Sequence, residues 1–233
     1  GVGRLDGTQW QNWFTGSCSH ACRAPECLHT FCNPVYSFAM LLDRQGRKWV
    51  AHWGVGLESF DDDVWPPDFI HYRVGDSLAT NSQTFGWSAA ADWYKGRWFG
   101  MDTPSEDPVG LEYYDSTGTY RANYSPANTP ILPSGYVRAI AMDEKRERMW
   151  VGCRGKGVTV FNLSGHTPGA PLRLASGGGL SDYNTLDIFG VVLHADSVWV
   201  MSTSSLVCLA AVTFAQRDTL TLVGRPAPRG ACH

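Results

Sequence analysis

Four cysteines and two histidines crowd residues 17–33. They are Cys18, His20, Cys22, Cys27, His29 and Cys32. Because a loop of this length has no core of its own, we expect two local disulfides to order it. Four thiolates could instead bind zinc or an iron–sulfur cluster, but the gaps of three, four and four residues differ from the usual paired Cys-x-x-Cys ligands. The stretch predicts a disulfide-stapled insertion, with a metal or redox module as the alternative.

Three further cysteines, Cys153, Cys208 and Cys232, lie in the second half of the chain. Cys153 and Cys208 fall in predicted strands, where cysteine commonly acts as a small buried apolar residue. A disulfide between these two is also open, provided that their Cα atoms lie close together. Seven cysteines in 233 residues is a high share for a cytosolic protein and indicates an extracytoplasmic location: periplasmic, cell-surface or secreted.

The acidic run of the chain is Asp61, Asp62 and Asp63. Clustered carboxylates on a loop are ligands that calcium prefers, but a solvated turn between two strands is the simpler explanation, so no metal is predicted here and calcium is kept as the alternative. A second polar group, His71, Tyr72 and Arg73, contains the residue types that a polysaccharide lyase uses to abstract a proton. This group lies on a predicted outer strand, so it faces the rim of the propeller and not the funnel at its axis.

Several aromatic residues fall at or near the ends of predicted strands, next to polar residues. They are Trp53, Trp65, Trp87, Trp93 and Tyr94. Aromatic side chains in loops suit stacking on sugars or contact with another protein, and the alternative is that they pack inside the fold. These five residues are the predicted ligand or partner face.

A short phrase that recurs along the chain defines the elements that position these residues. It consists of glycine, an aliphatic residue, two variable residues, an apolar residue and then Asp or Asn. The copies begin at Gly1, Gly56, Gly110 and Gly157, with a decayed copy at Ser205, and their starts lie 55, 54, 47 and 48 residues apart. A period near 50 residues, made of short alternating segments, is typical of a β-propeller.

A second phrase precedes each copy of the first except the opening one. A strand ends near an Asp, a short polar turn follows, and the next strand carries Trp49, Trp98, Trp150 or Trp199. The Asp is expected to accept backbone hydrogen bonds in the turn, with Gly46 and Gly96 at positive φ. We therefore predict blades of four antiparallel strands, labelled A to D from the propeller axis outward.

These two phrases resemble the two-component regulator propeller repeat. The resemblance rests on Ile131-Leu132-Pro133-Ser134-Gly135, Gly178-Gly179-Leu180-Ser181-Asp182, Leu42-Asp43-Arg44-Gln45-Gly46 and Trp150-Val151-Gly152. It covers most of the chain and departs from the pattern at 101–109 and at Ser205. It implies sensing or recognition at the cell surface, with ligand or partner contacts on a loop face.

The phase of the repeat predicts one all-β domain over residues 1–233, with about four and a half blades. The expected parts are a partial first blade at 1–16, the cysteine-rich insertion at 17–33, blades at about 34–83, 84–130, 131–181 and 182–224, and a tail at 225–233. Because an incomplete blade leaves an uncovered edge, we expect the chain to be a piece of a larger polypeptide whose ring has six to eight blades.

Composition narrows the classes of function. The net charge is −3 and no basic stripe is present, so nucleic acid is not an expected partner. No apolar run approaches the roughly 18 residues that span a bilayer. We predict a non-catalytic propeller that recognises a glycan or another protein chain, or scaffolds a surface assembly, with no cofactor. A polysaccharide lyase or related propeller enzyme is the main alternative.

Overall fold

The computed structural model describes residues 3–6, 9–12, 37–52, 56–63, 68–72, 86–101, 110–164, 167–173 and 187–221. These residues form four antiparallel sheets of four strands each, and the predicted β-propeller is confirmed with four blades. The first two strands, β1 (Gly3–Asp6) and β2 (Gln9–Asn12), form a separate two-stranded sheet. No helix in the described part of the chain is long and apolar enough to cross a membrane.

The sixteen blade strands follow one another in chain order. Blade 1 contains β3 (Ser37–Leu42), β4 (Lys48–His52), β5 (Gly56–Asp61) and β6 (Asp68–Tyr72). Blade 2 contains β7 (Gly86–Ala91), β8 (Arg97–Met101), β9 (Leu111–Tyr114) and β10 (Tyr120–Tyr124). Blade 3 contains β11 (Val137–Asp143), β12 (Arg148–Cys153), β13 (Gly157–Ser164) and β14 (Thr167–Arg173). Blade 4 contains β15 (Ile188–His194), β16 (Ser197–Ser202), β17 (Ser205–Ala210) and β18 (Gln216–Thr221).

The first strand of each blade lies nearest the propeller axis. These inner strands contact one another in series, β3 with β7, β7 with β11, and β11 with β15. Each blade therefore has a leading face, which points toward the next blade in the chain, and a trailing face, which points toward the previous one. Side chains alternate between the two faces because the period of a strand is two residues.

The apolar cores lie between the blades. Trp49, Trp98 and Trp150 stand on the leading faces of blades 1, 2 and 3, and each is completely buried by the blade that follows. Each large indole fills the space between two packed sheets, which is the role that the periodic Trp predicted. The repeated Trp therefore marks the junctions between blades.

The turns between the first and second strands follow the predicted design, with one correction. Asp43 Oδ1 accepts hydrogen bonds from the backbone N–H groups of Gln45 and Arg47 at 2.8 and 3.0 Å, and Gly46 has φ +87°. In blade 2 the residue at positive φ is Lys95 and not Gly96, so that prediction was wrong. Glycine is required at position 96 for a different reason, because a Cβ there would lie 2.4 Å from the Tyr113 ring.

Candidate functional site

A β-bulge interrupts each inner strand at the same place. The pairing with the second strand shifts between Ser37 and Ala39, and the equivalent shifts occur at 86–88, 137–139 and 188–190. The residues passed over by the four shifts are Phe38, Trp87, Arg138 and Phe189, which lie 49, 51 and 51 positions apart. Because a bulge bends the strand and re-aims one side chain, it can bring these four residues to a common surface near the axis.

The four bulged side chains form a continuous row, here called the bulge row. The rings of Phe38 and Trp87 stack with their centroids 4.4 Å apart at an interplanar angle of 17°. The guanidinium carbon of Arg138 lies 4.8 Å from the centroid of Trp87 and 5.0 Å from that of Phe189. Each blade contributes one member, and all four side chains remain partly exposed.

The cation of the bulge row is held in place from two sides. Trp87 and Phe189 present their ring faces to the Arg138 guanidinium, an arrangement that is favourable because an aromatic face carries partial negative charge. Asp187, at the start of blade 4, has a carboxylate oxygen 3.7 Å from Arg138 Nη1. Arg138 is therefore a fixed, oriented donor group and not a mobile surface side chain.

A cavity of about 630 Å³ lies beside the bulge row, and Asp187, which pairs with Arg138, belongs to its lining. It is lined by Ser134, Tyr136, Arg154, Gly155, Lys156 and Asp187. Arg154 stands 5.8 Å over the Tyr136 ring, and its backbone N–H donates to the Tyr136 carbonyl at 2.9 Å. Two cations and one carboxylate give the lining a positive balance, which suits an anionic group of a ligand.

The bulge row and this cavity together offer two kinds of contact. The aromatic rings offer flat apolar surfaces, and Arg138, Arg154 and Lys156 offer positively charged donors. Pockets of this kind, with a few polar groups beside an apolar wall, are typical binding sites. The arrangement can hold a ligand that has both a flat face and a negative charge.

The structure separates the predicted ligand-face residues. Trp87 belongs to the bulge row, whereas Trp93 and Tyr94 lie in the turn at the far end of the same strand, about 20 Å away at the rise of a β-strand. Trp93 packs against the core between blades 2 and 3, and Tyr94 is exposed. Trp53 and Trp65 lie outside the described residues. Trp87 and the pair Trp93–Tyr94 therefore do not share one face of the disc.

The three acidic residues 61–63 lie close together, with one oxygen from each within 4.8 Å of the others. Asp61 Oδ1 accepts a hydrogen bond from the Asp63 backbone N–H at 3.0 Å. Lys48 Nζ forms an ion pair with Asp62. The ammonium group balances the charge of one of the three carboxylates. No observation tests calcium binding here, so it stays a prediction.

The cysteines that the structure describes do not pair with each other. Cys153 is a free, buried thiol at the end of β12, and burial raises its pKa to about 12. The disulfide between Cys153 and Cys208 that the sequence left open is therefore not formed. Cys208 is buried and disulfide-bonded to a different residue. Cys18, Cys22, Cys27 and Cys32 lie outside the described residues.

Tyr72, the central residue of the group considered for a lyase, belongs to a core. It is buried between blades 1 and 2, with its ring centroid 4.8 Å from that of Trp49. Burial raises the pKa of its hydroxyl, which makes it a poorer base at neutral pH. The side chains of His71 and Arg73 lie outside the described part of the structure. Tyr72 is therefore a packing residue.

Buried ionisable groups collect on blade 1 and at its junction with blade 2. Arg97 Nε donates to Asp43 Oδ2 at 2.7 Å, and Trp49 Nε1 donates to the same oxygen at 2.8 Å. Burial by itself raises the pKa of Asp43, but the hydrogen bonds from Trp49 and Arg97 outweigh it and hold that pKa below its ordinary value. His52 has Nδ1 3.0 Å from Ser37 Oγ and Nε2 3.2 Å from Glu58 Oε2.

Glu112 occupies in blade 2 the repeat position of Glu58, but Met101 stands at the position that His52 holds in blade 1. Its side chain is fully buried, and the Tyr114 hydroxyl donates a hydrogen bond to Oε2 at 3.1 Å. The second oxygen, Oε1, has no hydrogen-bond partner among the described residues. Burial raises the pKa of Glu112 to about 8, and the hydrogen bond from Tyr114 opposes only part of that rise. Glu112 is therefore mainly protonated at neutral pH.

Comparison with known proteins identifies the fold. No protein-family model and no curated protein matches the chain. Many solved structures do match. One is the extracellular domain of a protein described as a hybrid two-component system from B. thetaiotaomicron, with 18% identity and a TM-score of 0.60 over 82% of this chain and 23% of that chain.

The second is the β-propeller domain of Cps50 (Swd1) from Myceliophteria thermophila, with 10% identity and a TM-score of 0.54 over 77% of this chain and 57% of that chain. The third is apo AztD from Citrobacter koseri, with 11% identity and a TM-score of 0.51 over 84% of this chain and 49% of that chain. The chain spans about a quarter to somewhat over half of the length of these structures. At these identities the likeness establishes the fold, a β-propeller.

The sequence interpretation missed three members of the bulge row, Phe38, Arg138 and Phe189, and it missed the residues that line the cavity. A signal for the first three was present, since they stand with Trp87 at the second position of each inner strand. Regular alternation places that position on a blade face, and only the bulge directs it elsewhere. An alignment of the repeats by strand start would have grouped the four bulged residues.

Proposed function

We propose that this chain is a non-catalytic, extracytoplasmic recognition module of the two-component regulator propeller type. Its ligand binds across the bulge row and the adjoining cavity. The ligand class that fits best is an acidic saccharide, whose sugar rings stack on the aromatic members while its acid groups contact the cations. Sensing and scaffolding at a cell surface are the roles in which such a module would serve.

One observation carries this proposal, the continuous contact of Phe38, Trp87, Arg138 and Phe189 across four blades. Strands tolerate a bulge at a cost in regular pairing, and bulges occur often beside functional sites. Four bulges at one repeat position place three aromatic rings and one cation in line. Packing alone does not require this, because the row remains partly exposed to solvent.

The charge of the cavity indicates which class of ligand would bind. Arg154 and Lys156 come from the turn between β12 and β13, and Asp187 is already engaged by Arg138. A carboxylate on the ligand would form charge-assisted hydrogen bonds with these two cations, which an uncharged sugar cannot do. Arg138, the member of the bulge row that pairs with Asp187 of the cavity lining, would contact the acid group of a ligand whose sugar ring stacks on the neighbouring aromatic rings.

The extracytoplasmic location is supported by two observations. The chain contains seven cysteines, a high number for a cytosolic protein of this length. One of the similar structures is the extracellular domain of a protein described as a two-component system. The regulator propeller assignment rests on the repeat phrases of the sequence, together with that likeness in fold.

Calorimetric titration with oligosaccharides tests the site. We expect uronic-acid oligosaccharides to bind more tightly than neutral ones of equal length, and increasing salt to weaken the binding. Trp87→Ala should reduce the affinity about tenfold, because one stacking surface and one cation–π contact are lost. Tyr94→Ala is the matched control, since Tyr94 is an exposed aromatic residue at the other end of the same strand.

Two results would contradict the proposal. Equal losses of affinity in Trp87→Ala and Tyr94→Ala would show that the bulge row is not the binding site. Shortening of the saccharide during the titration, measured by mass spectrometry, would show that the module is catalytic. A double variant with Arg154→Ala and Lys156→Ala should bind acidic oligosaccharides more weakly and should bind neutral oligosaccharides as the wild type does.

A further inference from the structure

Asp187 is the carboxylate of the cavity lining, which also contains the cations Arg154 and Lys156. Its side chain is 32% exposed, and its two oxygens face different neighbours. Oδ2 lies 3.7 Å from Arg138 Nη1, whereas Oδ1 lies 3.9 Å from the point where a Cβ of Gly155 would stand. The carboxylate therefore reaches from the bulge row to the cavity.

The contact with Arg138 leaves the oxygens of Asp187 able to accept hydrogen bonds from a ligand. At 3.7 Å it is an ion pair, because a hydrogen bond from N–H to oxygen is about 2.7–3.2 Å long. An ionised carboxylate accepts hydrogen bonds and cannot donate them. A ligand group that lies beside Asp187 must therefore supply the donor.

Ser134 lines the same cavity and is only 7% exposed. Its Oγ accepts a hydrogen bond from the Tyr136 backbone N–H at 3.1 Å. That bond orients the oxygen and leaves the hydroxyl proton of Ser134 to be donated to a ligand. The cavity thus contains an oriented donor and an acceptor besides its cations. A sugar hydroxyl matches both Ser134 and Asp187 because it accepts and donates, whereas an ester oxygen only accepts.

We propose that Asp187 determines the specificity of this site, an inference that rests on the proposed function: it selects acidic saccharides whose hydroxyl groups are free. The acid group of the ligand contacts Arg154 and Lys156, and a hydroxyl of the same or the neighbouring sugar donates to Asp187. An acetylated saccharide keeps the acid group but has lost the donor, so it covers the carboxylate without a hydrogen bond. Sites built to bond a hydroxyl reject analogues that lack it much more strongly than apolar pockets reject a missing methylene.

Calorimetric titration with two forms of one ligand tests this inference. The probes are an oligogalacturonate with free hydroxyl groups and the same oligomer after O-acetylation. We expect the wild type to bind the free form at least about tenfold more tightly than the acetylated form. In Asp187→Ala this preference should fall to about twofold or less. The ratio of the two affinities is the readout, because a shift of Arg138 or a change in net charge affects both forms alike.

Asp196→Ala is the matched control, and it should keep the wild-type preference. Asp196 is also an aspartate of blade 4 that pairs with an arginine of blade 3, Arg146, but it stands beyond the other end of β15. A preference that persists in Asp187→Ala would show that the acetyl groups are rejected by their size, and it would overturn the inference. Equal binding of both forms by the wild type would do the same and leave the proposed function intact. If the wild type binds neither form, the proposed function and this inference are both wrong.

Discussion

The junction between blades 1 and 2 and the junction between blades 3 and 4 are filled by different kinds of side chain. The first is aromatic and polar: Trp49, Tyr72, Phe99 and Tyr114 pack around it, and Tyr114 meets Phe99 edge to face with centroids 5.5 Å apart. The second is aliphatic. Its core around Trp150 consists of Val158, Val160, Ile188, Val191, Val198, Val200, Val207 and Leu209.

The repeated Trp also differs in its hydrogen bonding at the two junctions. Trp49 Nε1 donates a hydrogen bond to Asp43, which in turn holds the buried Arg97. Trp150 Nε1 has no hydrogen-bond partner among the described residues. Trp98, at the junction between blades 2 and 3, donates to Asp92 at 2.8 Å as Trp49 does to Asp43. Blade packing therefore requires a large flat side chain at this position, whereas the hydrogen bond of its N–H group differs from one junction to another. Charge, pH and hydrogen bonding should affect the first junction and leave the second largely unchanged.

The largest expected effect comes from removing the charge of Asp43. Asp43→Asn leaves the Arg97 guanidinium buried without its counter-charge and should lower the free energy of unfolding by about 3–5 kcal/mol. Asp196→Asn is the control at the junction between blades 3 and 4, where the carboxylate pairs with Lys145 and Arg146 at the surface. Because the Asp196 and Lys145 side chains are largely exposed to solvent, little change is expected. Equal losses in urea unfolding would remove the contrast between the junctions.

A pH dependence is the next largest effect. Glu112 has an ordinary pKa of 4.5 in the unfolded chain and a pKa of about 8 when buried, so between these values the native state holds a proton that the unfolded state has released. The contribution of Glu112 to stability is therefore fully present below pH 4.5 and falls by about 1.4 kcal/mol for each pH unit as pH rises toward 8.

Glu112→Gln tests this pH dependence, because the amide keeps the shape and cannot ionise. The difference in unfolding free energy between wild type and variant should change by about 1.4 kcal/mol per pH unit from pH 5 to pH 7, since all other groups are common to both proteins. Parallel curves for the two proteins would mean that Glu112 does not carry a proton at neutral pH. Asp43 has the opposite pH dependence. Because its pKa is lowered in the folded protein, its contribution to stability is present above about pH 3.8 and is lost as pH falls below that value.

The smallest of these effects separates the two Trp residues. Trp49→Phe and Trp150→Phe remove similar apolar area, but only the first also removes a hydrogen bond to a buried carboxylate. Trp49→Phe should therefore cost about 1–3 kcal/mol more than Trp150→Phe. Chemical denaturation of the two variants measures the difference. If Trp150→Phe proves the more damaging, the area and shape of the indole outweigh its N–H group.

Much of the fold could be predicted from the sequence because each blade is built by local interactions. The Asp43 turn and the Trp six residues later specify one hairpin, and the glycine phrase supplies the third strand. The exception at Gly96 has a local explanation. Positive φ falls on Lys95, and the glycine is there to leave room for the Tyr113 ring of the same blade.

The candidate site was less predictable because proximity in sequence is a poor guide to proximity on a propeller. Trp87, Trp93 and Tyr94 were grouped because each is an aromatic residue at or near the end of a predicted strand, but the strand between them carries Trp87 to the opposite face of the disc from the other two. Phe38 and Phe189 were missed since they resemble ordinary strand residues. A one-residue bulge reverses the facing of a side chain, and nothing in the hydrophobic pattern marks it.

The sequence by itself determined the period of the blades, the chemistry of their turns and the Trp that each blade presents to the next. These follow from short-range rules of hydrogen bonding and side-chain alternation. Only the tertiary structure decided that Arg138 lies between Trp87 and Phe189, each 51 residues away, and that burial raises the pKa of Glu112 to about 8. Both depend on which blades meet and how much water their contact excludes, and such long-range properties have no local signature in the chain.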